Sequence, residues 1–154
     1  MATWTAPTLD WASTDYINFD DFNKIEENTE YIYDEMVAHI NSQIPTPQVT
    51  YTGTYTVVGR SGFKTDRDID WIDFYDDYFA IDNNIAFLKS YLADWPEWAT
   101  YQTTRTNWIP LAVIDYTDIN RFESNNYYLY LVIQAIITEL KICGTAYSGE
   151  EIVL

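Results

Sequence analysis

The chain carries few residues suited to covalent chemistry. His39 is its one histidine and Cys143 its one cysteine, far apart in sequence. A single cysteine excludes an internal disulfide and any cysteine-based metal cluster, and buried cysteines are commonly inert. Five glycines form no Gly-x-Ser-x-Gly elbow, phosphate-binding loop or dinucleotide-binding loop. Asp66, Asp68, Asp70 and Asp73 alternate as calcium ligands can. An EF-hand loop counted from Asp66 would need Gly at its sixth place and Glu at its twelfth. Trp71 and Asp77 stand there instead, so the run is expected to be a solvated acidic loop leading into a helix. Spacing does not single out a glycosidase-type pair among so many acids. The expectation is no enzymatic activity, no cofactor and no bound metal.

Charge narrows the partners. Eight Lys and Arg stand against 24 Asp and Glu, a net charge of −16. Nucleic-acid binders gain affinity by neutralising phosphates with cations, so direct nucleic-acid binding is not expected. Apolar residues make up 47% of the 154 and charged residues 21%, enough for the core of one domain over residues 1–154. No apolar run approaches the roughly 18 residues needed to span a bilayer, and no basic-then-apolar leader follows Met1. Neither a membrane span nor a secretory route is expected. The 14 Tyr, 7 Phe and 6 Trp are an unusual aromatic load, of the residue types that dominate protein interfaces.

These residues are organised by an internal repeat. Phe19–Ile32, Tyr75–Leu88 and Tyr116–Leu129 align without a gap. Each runs aromatic, any, Asp, apolar, two free positions, apolar, acid, any, Asn, two free positions, aromatic, aliphatic. The shared residues are Asp21, Ile25, Glu26 and Asn28; Asp77, Ile81, Asp82 and Asn84; Asp118, Phe122, Glu123 and Asn125. Each copy predicts a helix, over 20–42, 76–93 and 117–142. Asp20 or Asp21, Asp76 or Asp77, and Thr117 or Asp118 are the expected N-caps. Apolar residues follow at spacings of three and four: Phe22, Ile25, Thr29, Ile32 and Met36; Tyr78, Ile81, Ile85, Leu88 and Leu92; Ile119, Phe122, Asn126, Leu129 and Ile133, continuing to Ile136 and Leu140. Thr29 and Asn126 are soft places at the layer of Ile85. Glu26, Asp82, Glu123 and the three asparagines flank this seam, where hydrogen bonds between helices account for them. A shared ligand site of three carboxylates is the competing reading.

The linkers between copies far exceed what antiparallel neighbours need. About 20 extended residues cover roughly twice the length of a 20-residue helix, so each linker can climb back and let the helices run parallel. Val49–Val58 alternates β-branched and aromatic residues, and Ile109–Ile114 is an apolar run suited to a short strand or strap. The expected fold is mainly α with a minor β component, a bundle of three repeats over about 11–42, 67–93 and 108–142.

The repeat resembles a segment of structural proteins from phages and prophages of Gram-positive bacteria. There a Trp-containing leader precedes an Asp-[Leu/Ile]-Asn-Arg-Ile-Glu-x-Asn helix near the start of tail, baseplate or fibre proteins. Asp118–Asn125 is the nearest copy and Asp21–Asn28 the next, and Trp11 and Trp108 each stand ten residues before the motif Asp. The second copy departs, with Arg67 at the Trp place and Phe79 at the first Asn place. The resemblance implies a virion structural role, assembly in the host cytoplasm, and other virion proteins as partners. It carries no catalytic residues. Three related helices in one chain would give a pseudo-threefold face for a symmetric assembly, including one built from copies of the chain. Trp71, Trp95 and Trp98 are the candidate partner-facing aromatics. Two other functions compete: a host-surface glycan-binding module using Trp71, Trp95, Trp98, Tyr101 and Trp108 as stacking platforms, and an acidic inhibitor that mimics DNA.

Overall fold

A computed structural model of the chain describes residues 2–40, 63–70, 75–92, 100–110 and 112–149, the side chains of 40, 76 and 139–149 excepted. Three helices pack together: α1 (Phe19–Ile40), α2 (Tyr75–Tyr91) and α3 (Tyr116–Gly149). Their starts lie one residue before those the sequence predicts, and α3 runs seven residues further. No strand occurs among the described residues. Val49–Val58 lies outside them. In the second candidate strand segment, Ala112 N donates to Ile109 O at 2.9 Å, closing a turn where a strand or strap was expected.

The helix starts correct the expected caps. Asn18 caps α1: its Oδ1 accepts from Asp20 N at 2.7 Å, and Asp21 Oδ2 accepts from Asn18 N at 2.9 Å. Asp115 caps α3 in the same way, accepting from Thr117 N at 2.8 Å while Asp118 Oδ2 faces Asp115 N at 3.4 Å. Both are capping boxes, so the motif Asp is the third helical residue and reaches back to the cap. The equivalent of Asn18 and Asp115 in the second copy, Phe74, lies outside the described residues.

The periodic apolar residues form the core. Ile25, Ile81 and Phe122, at one repeat position, are all buried, as are Ile32, Met36, Ile85, Leu88, Leu92, Ile119, Leu129 and Ile133. Tyr78 and Ile136 are only half-buried, and Ile137 is buried where Ile136 was expected. The polar layer closes on itself. Thr29 Oγ1 lies 3.1 Å from Asn126 Oδ1, and Asn126 Nδ2 donates to Ile25 O at 2.9 Å. Both side chains are thus buried at little cost.

The helices run parallel. Between α1 and α3, Lys24 meets Glu123, Thr29 meets Asn126, and Tyr31 meets Tyr130. Between α2 and α3, Asp82 meets Arg121, and Lys89 Nζ lies 5.8 Å from the Tyr128 ring centroid. In each pair of helices the partner numbers rise together, whereas antiparallel packing would make one fall as the other rises.

Candidate interaction site

Before each helix runs an irregular leader: 2–18 before α1, 63–70 before α2, and 100–115 (Leu111 excepted) before α3. An extended segment lying on helices has no sheet neighbour to satisfy its peptide groups. In the first and third copies the motif asparagine does this instead, because a side-chain amide carries a donor and an acceptor spaced like those of a peptide. Asn28 Oδ1 accepts from Thr5 N at 2.9 Å and its Nδ2 donates to Thr5 O at 2.8 Å. Asn125 treats Gln102 identically, at 2.7 and 2.9 Å. In both copies the paired leader residue stands 23 positions before the Asn.

A second asparagine ties two of the leaders to a neighbouring helix, the equivalent position of α2 being Phe79. Asn23 of α1 exchanges both bonds with Arg67 of the second leader, at 3.0 and 2.8 Å. Asn120 of α3 does so with Trp11 of the first leader, at 3.0 and 2.8 Å. Each of these leaders therefore lies in the groove between its own helix and another. The bonds expected between helices run mainly from helix to leader.

The motif acids complete a cyclic arrangement. Lys24 Nζ of α1 sits 2.7 Å from Glu123 Oε1 of α3. Arg121 of α3 forks onto Asp82 of α2, with Nη2 at 3.0 Å from Oδ2 and Nε at 3.4 Å from Oδ1. By the same rule α2 should supply a cation to Glu26 of α1, but its equivalent position is Ala80. Arg67, standing where the other leaders carry Trp, fills the gap with Nη2 at 2.7 Å from Glu26 Oε1. Arg67 in the second leader thus compensates for Ala80 in the second helix. At that leader place Trp108 donates its indole N–H to Asp82 Oδ2 at 2.7 Å.

Leader cations add a contact that the sequence reading missed. Lys64 pairs with Asp77 at 3.1 Å, and Arg105 with Asp118 at 3.2 Å. Each stands thirteen residues before its partner, a shared spacing that could have revealed it. Thr8 holds the place in the first copy, its hydroxyl 3.2 Å from Lys24 Nζ. The backbone bonds of Thr5 and Gln102 leave no such trace, because any residue type can make them.

Glu26, Asp82 and Glu123 are buried, each with its own cation. They do not converge on one ligand, and no metal-holding group of carboxylates, His or Cys occurs among the described residues. Asp66, Asp68 and Asp70 are exposed, while Asp77 is held by Lys64. Ile25, Ile81 and Phe122 are core, and Asn28, Asn84, Asp118 and Asn125 are buried. The motif therefore builds the inside of the fold and is not an outward interface. Trp108 is buried and so presents no stacking face to a glycan, while Tyr101 is half-buried and packs edge-on against Tyr128 at 5.7 Å. Trp71, Trp95 and Trp98 lie outside the described residues. His39 is exposed, 3.5 Å from Glu35 of its own helix.

Removing one asparagine clamp should loosen one leader. Asn125→Ala removes both bonds to the Gln102 peptide groups and is expected to cost about 1–3 kcal/mol. Chemical denaturation gives the loss, and hydrogen exchange at the Gln102 amide should accelerate more than in core positions of α1.

Burial also sets a pH dependence. It pushes the Asp82 carboxyl above its ordinary value, against the pull of Arg121 and the Trp108 indole. Burial likewise raises Glu123, against the bond and charge of Lys24. A carboxyl raised by folding binds its proton more tightly in the folded chain. Its contribution to stability falls as pH rises from the ordinary carboxylate value to the raised one. Thermal melting should therefore show these two sites gaining stability as pH drops from neutrality into that window. Asp82→Asn with Glu123→Gln should flatten the slope. Asp115 runs the other way: bonding to the Thr117 hydroxyl lowers it, so its contribution is lost only as pH falls through that lowered value.

Comparison with protein-family models, with curated proteins and with solved structures finds no match to this chain, so the repeat and its geometry carry the functional reading.

Proposed function

We propose that the chain is a non-enzymatic structural protein of a phage virion, an adaptor or anchor of the tail, baseplate, neck or fibre attachment. It assembles in the host cytoplasm and works through interfaces with other virion proteins. The observation that carries this reading is the cyclic geometry. Three copies of one leader–helix unit run parallel, and in each the buried motif acid is paired with a cation from a neighbouring copy. One chain thereby supplies what three identical chains supply in a fibre, and it can meet a symmetric neighbour end-on. The resemblance of Asp118–Asn125 and Asp21–Asn28 to a phage structural motif supports the same setting. Mass spectrometry of purified particles tests it. The chain should appear at fixed stoichiometry with the tail or baseplate proteins, and its absence from particles would remove the reading.

A further inference from the structure

The exposed apolar residues are concentrated at one end of the bundle. Tyr16 is 84% exposed, Ile69 85%, Val113 79% and Ile109 63%. All four lie in the last residues of the leaders, just before the helices begin, and parallel helices bring the three leader ends to the same end. Tyr16 and Val113 occupy the same repeat position, five residues before the motif Asp, while Ile69, the exposed apolar residue of the second leader, stands eight before it. Tyr16 and Ile69 line one cleft of about 600 Å³, floored by Phe22, Arg67 and Tyr78. Exposed large apolar side chains are otherwise sparse among the described residues, which marks this end as a surface built for contact.

Charge identifies what it contacts. Asp15, Asp20, Asp66, Asp68, Asp70 and Asp115 stand exposed on the same leader ends and first helical turns. No described Lys or Arg is exposed; the six described cations are at least partly buried. A second copy would bring like charge against like charge, and nucleic acid would be repelled.

We propose that the leader end of the bundle docks onto the end of a threefold-symmetric protein, whose surface places Lys or Arg around apolar sockets on its axis. Tyr16, Ile69 and Val113 enter the sockets, one from each leader, and the acids pair with the surrounding cations. The proposal deepens the adaptor reading, resting on its claim that the chain works through protein interfaces.

A photo-crosslinking amino acid placed singly at 16, 69, 113 and, as a control on the body of α3, at 127 tests this in the cells that naturally make the chain. The first three positions should give crosslinks to one and the same basic protein. Position 127 should not, and native mass measurement should find three partner chains per copy. Tyr16→Asp with Val113→Asp should weaken binding to that purified partner about tenfold or more while leaving melting unchanged, both residues being exposed. Crosslinks to a second copy of this chain, to three different proteins or to nothing would overturn the proposal, as would a one-to-one complex. The two readings separate cleanly. A trimeric partner absent from particles would sink the virion assignment and leave the docking face standing. A chain present in particles but silent at 16, 69 and 113 would do the reverse.

Discussion

Arg67→Trp should destabilise the domain by about 3–5 kcal/mol, although it restores the residue that the other two leaders carry at that place. Glu26 is buried on α1, and Arg67 brings it a cation across 2.7 Å. An indole can donate one hydrogen bond, as Trp108 does to Asp82, but it cannot neutralise a buried carboxylate. Asp82 tolerates the indole because Arg121 supplies its charge. Cyclic equivalence then makes a stronger demand. Adding Ala80→Arg to the Arg67→Trp chain puts a cation where α1 has Lys24 and α3 has Arg121. It should recover a large part of the loss. Ala80→Arg by itself should destabilise, since two guanidiniums would then compete for Glu26. Urea denaturation of the two single variants and the double variant gives the coupling directly. If the two changes simply add, the compensation between Ala80 and Arg67 is wrong.

Ile85 should be the most sensitive single position of the core. It is fully buried in α2, at the layer where α1 and α3 place Thr29 and Asn126 against each other. Those two side chains are occupied with one another and with Ile25 O, so Ile85 supplies the apolar filling alongside them. Ile85→Ala should cost about 2–5 kcal/mol through lost burial and the cavity left behind. Ile85→Asp should fail to fold, because an unpaired buried charge exceeds what a domain stable by about 5–15 kcal/mol can absorb. Thermal melting of the Ala variant decides it: a wild-type melting temperature would mean that this layer is not core.

The helices were legible in the sequence because their apolar spacing and the Asp–acid–Asn pattern recur three times. The core followed from the same spacing, with Tyr78 and Ile136 displaced toward the surface. The caps were misplaced because Asp21 and Asp118 are good caps by residue type. Only the geometry shows that Asn18 and Asp115 take that role and leave the Asp to reach back. The asparagines were visible as a pattern but not in their task. Their partners, the peptide groups of Thr5, Gln102, Arg67 and Trp11, belong to the backbone and have no residue signature. The leader cations are faint in the sequence for a different reason. Lys64 and Arg105 share a spacing to their motif Asp, but a thirteen-residue reach from an irregular segment matches no helical or strand period. The meaning of Arg67 needed three dimensions, since the position it compensates, Ala80, matters only through the neighbouring helix.

Parallel helices in cyclic contact are the feature on which the rest depends, and a pair of distances measures it. Nitroxide labels can be placed at exposed positions 20, 39 and 117 in a Cys143→Ser background, with pulsed electron–electron dipolar spectroscopy giving the separations. Positions 20 and 117 should lie close, across neighbouring helix starts whose axes are about 10 Å apart. Positions 39 and 117 should lie farther apart by most of the length of α1, on the order of 25 Å along the axis. The reverse order, with 39 nearer to 117 than 20 is, would mean antiparallel packing and would contradict the three-copy architecture.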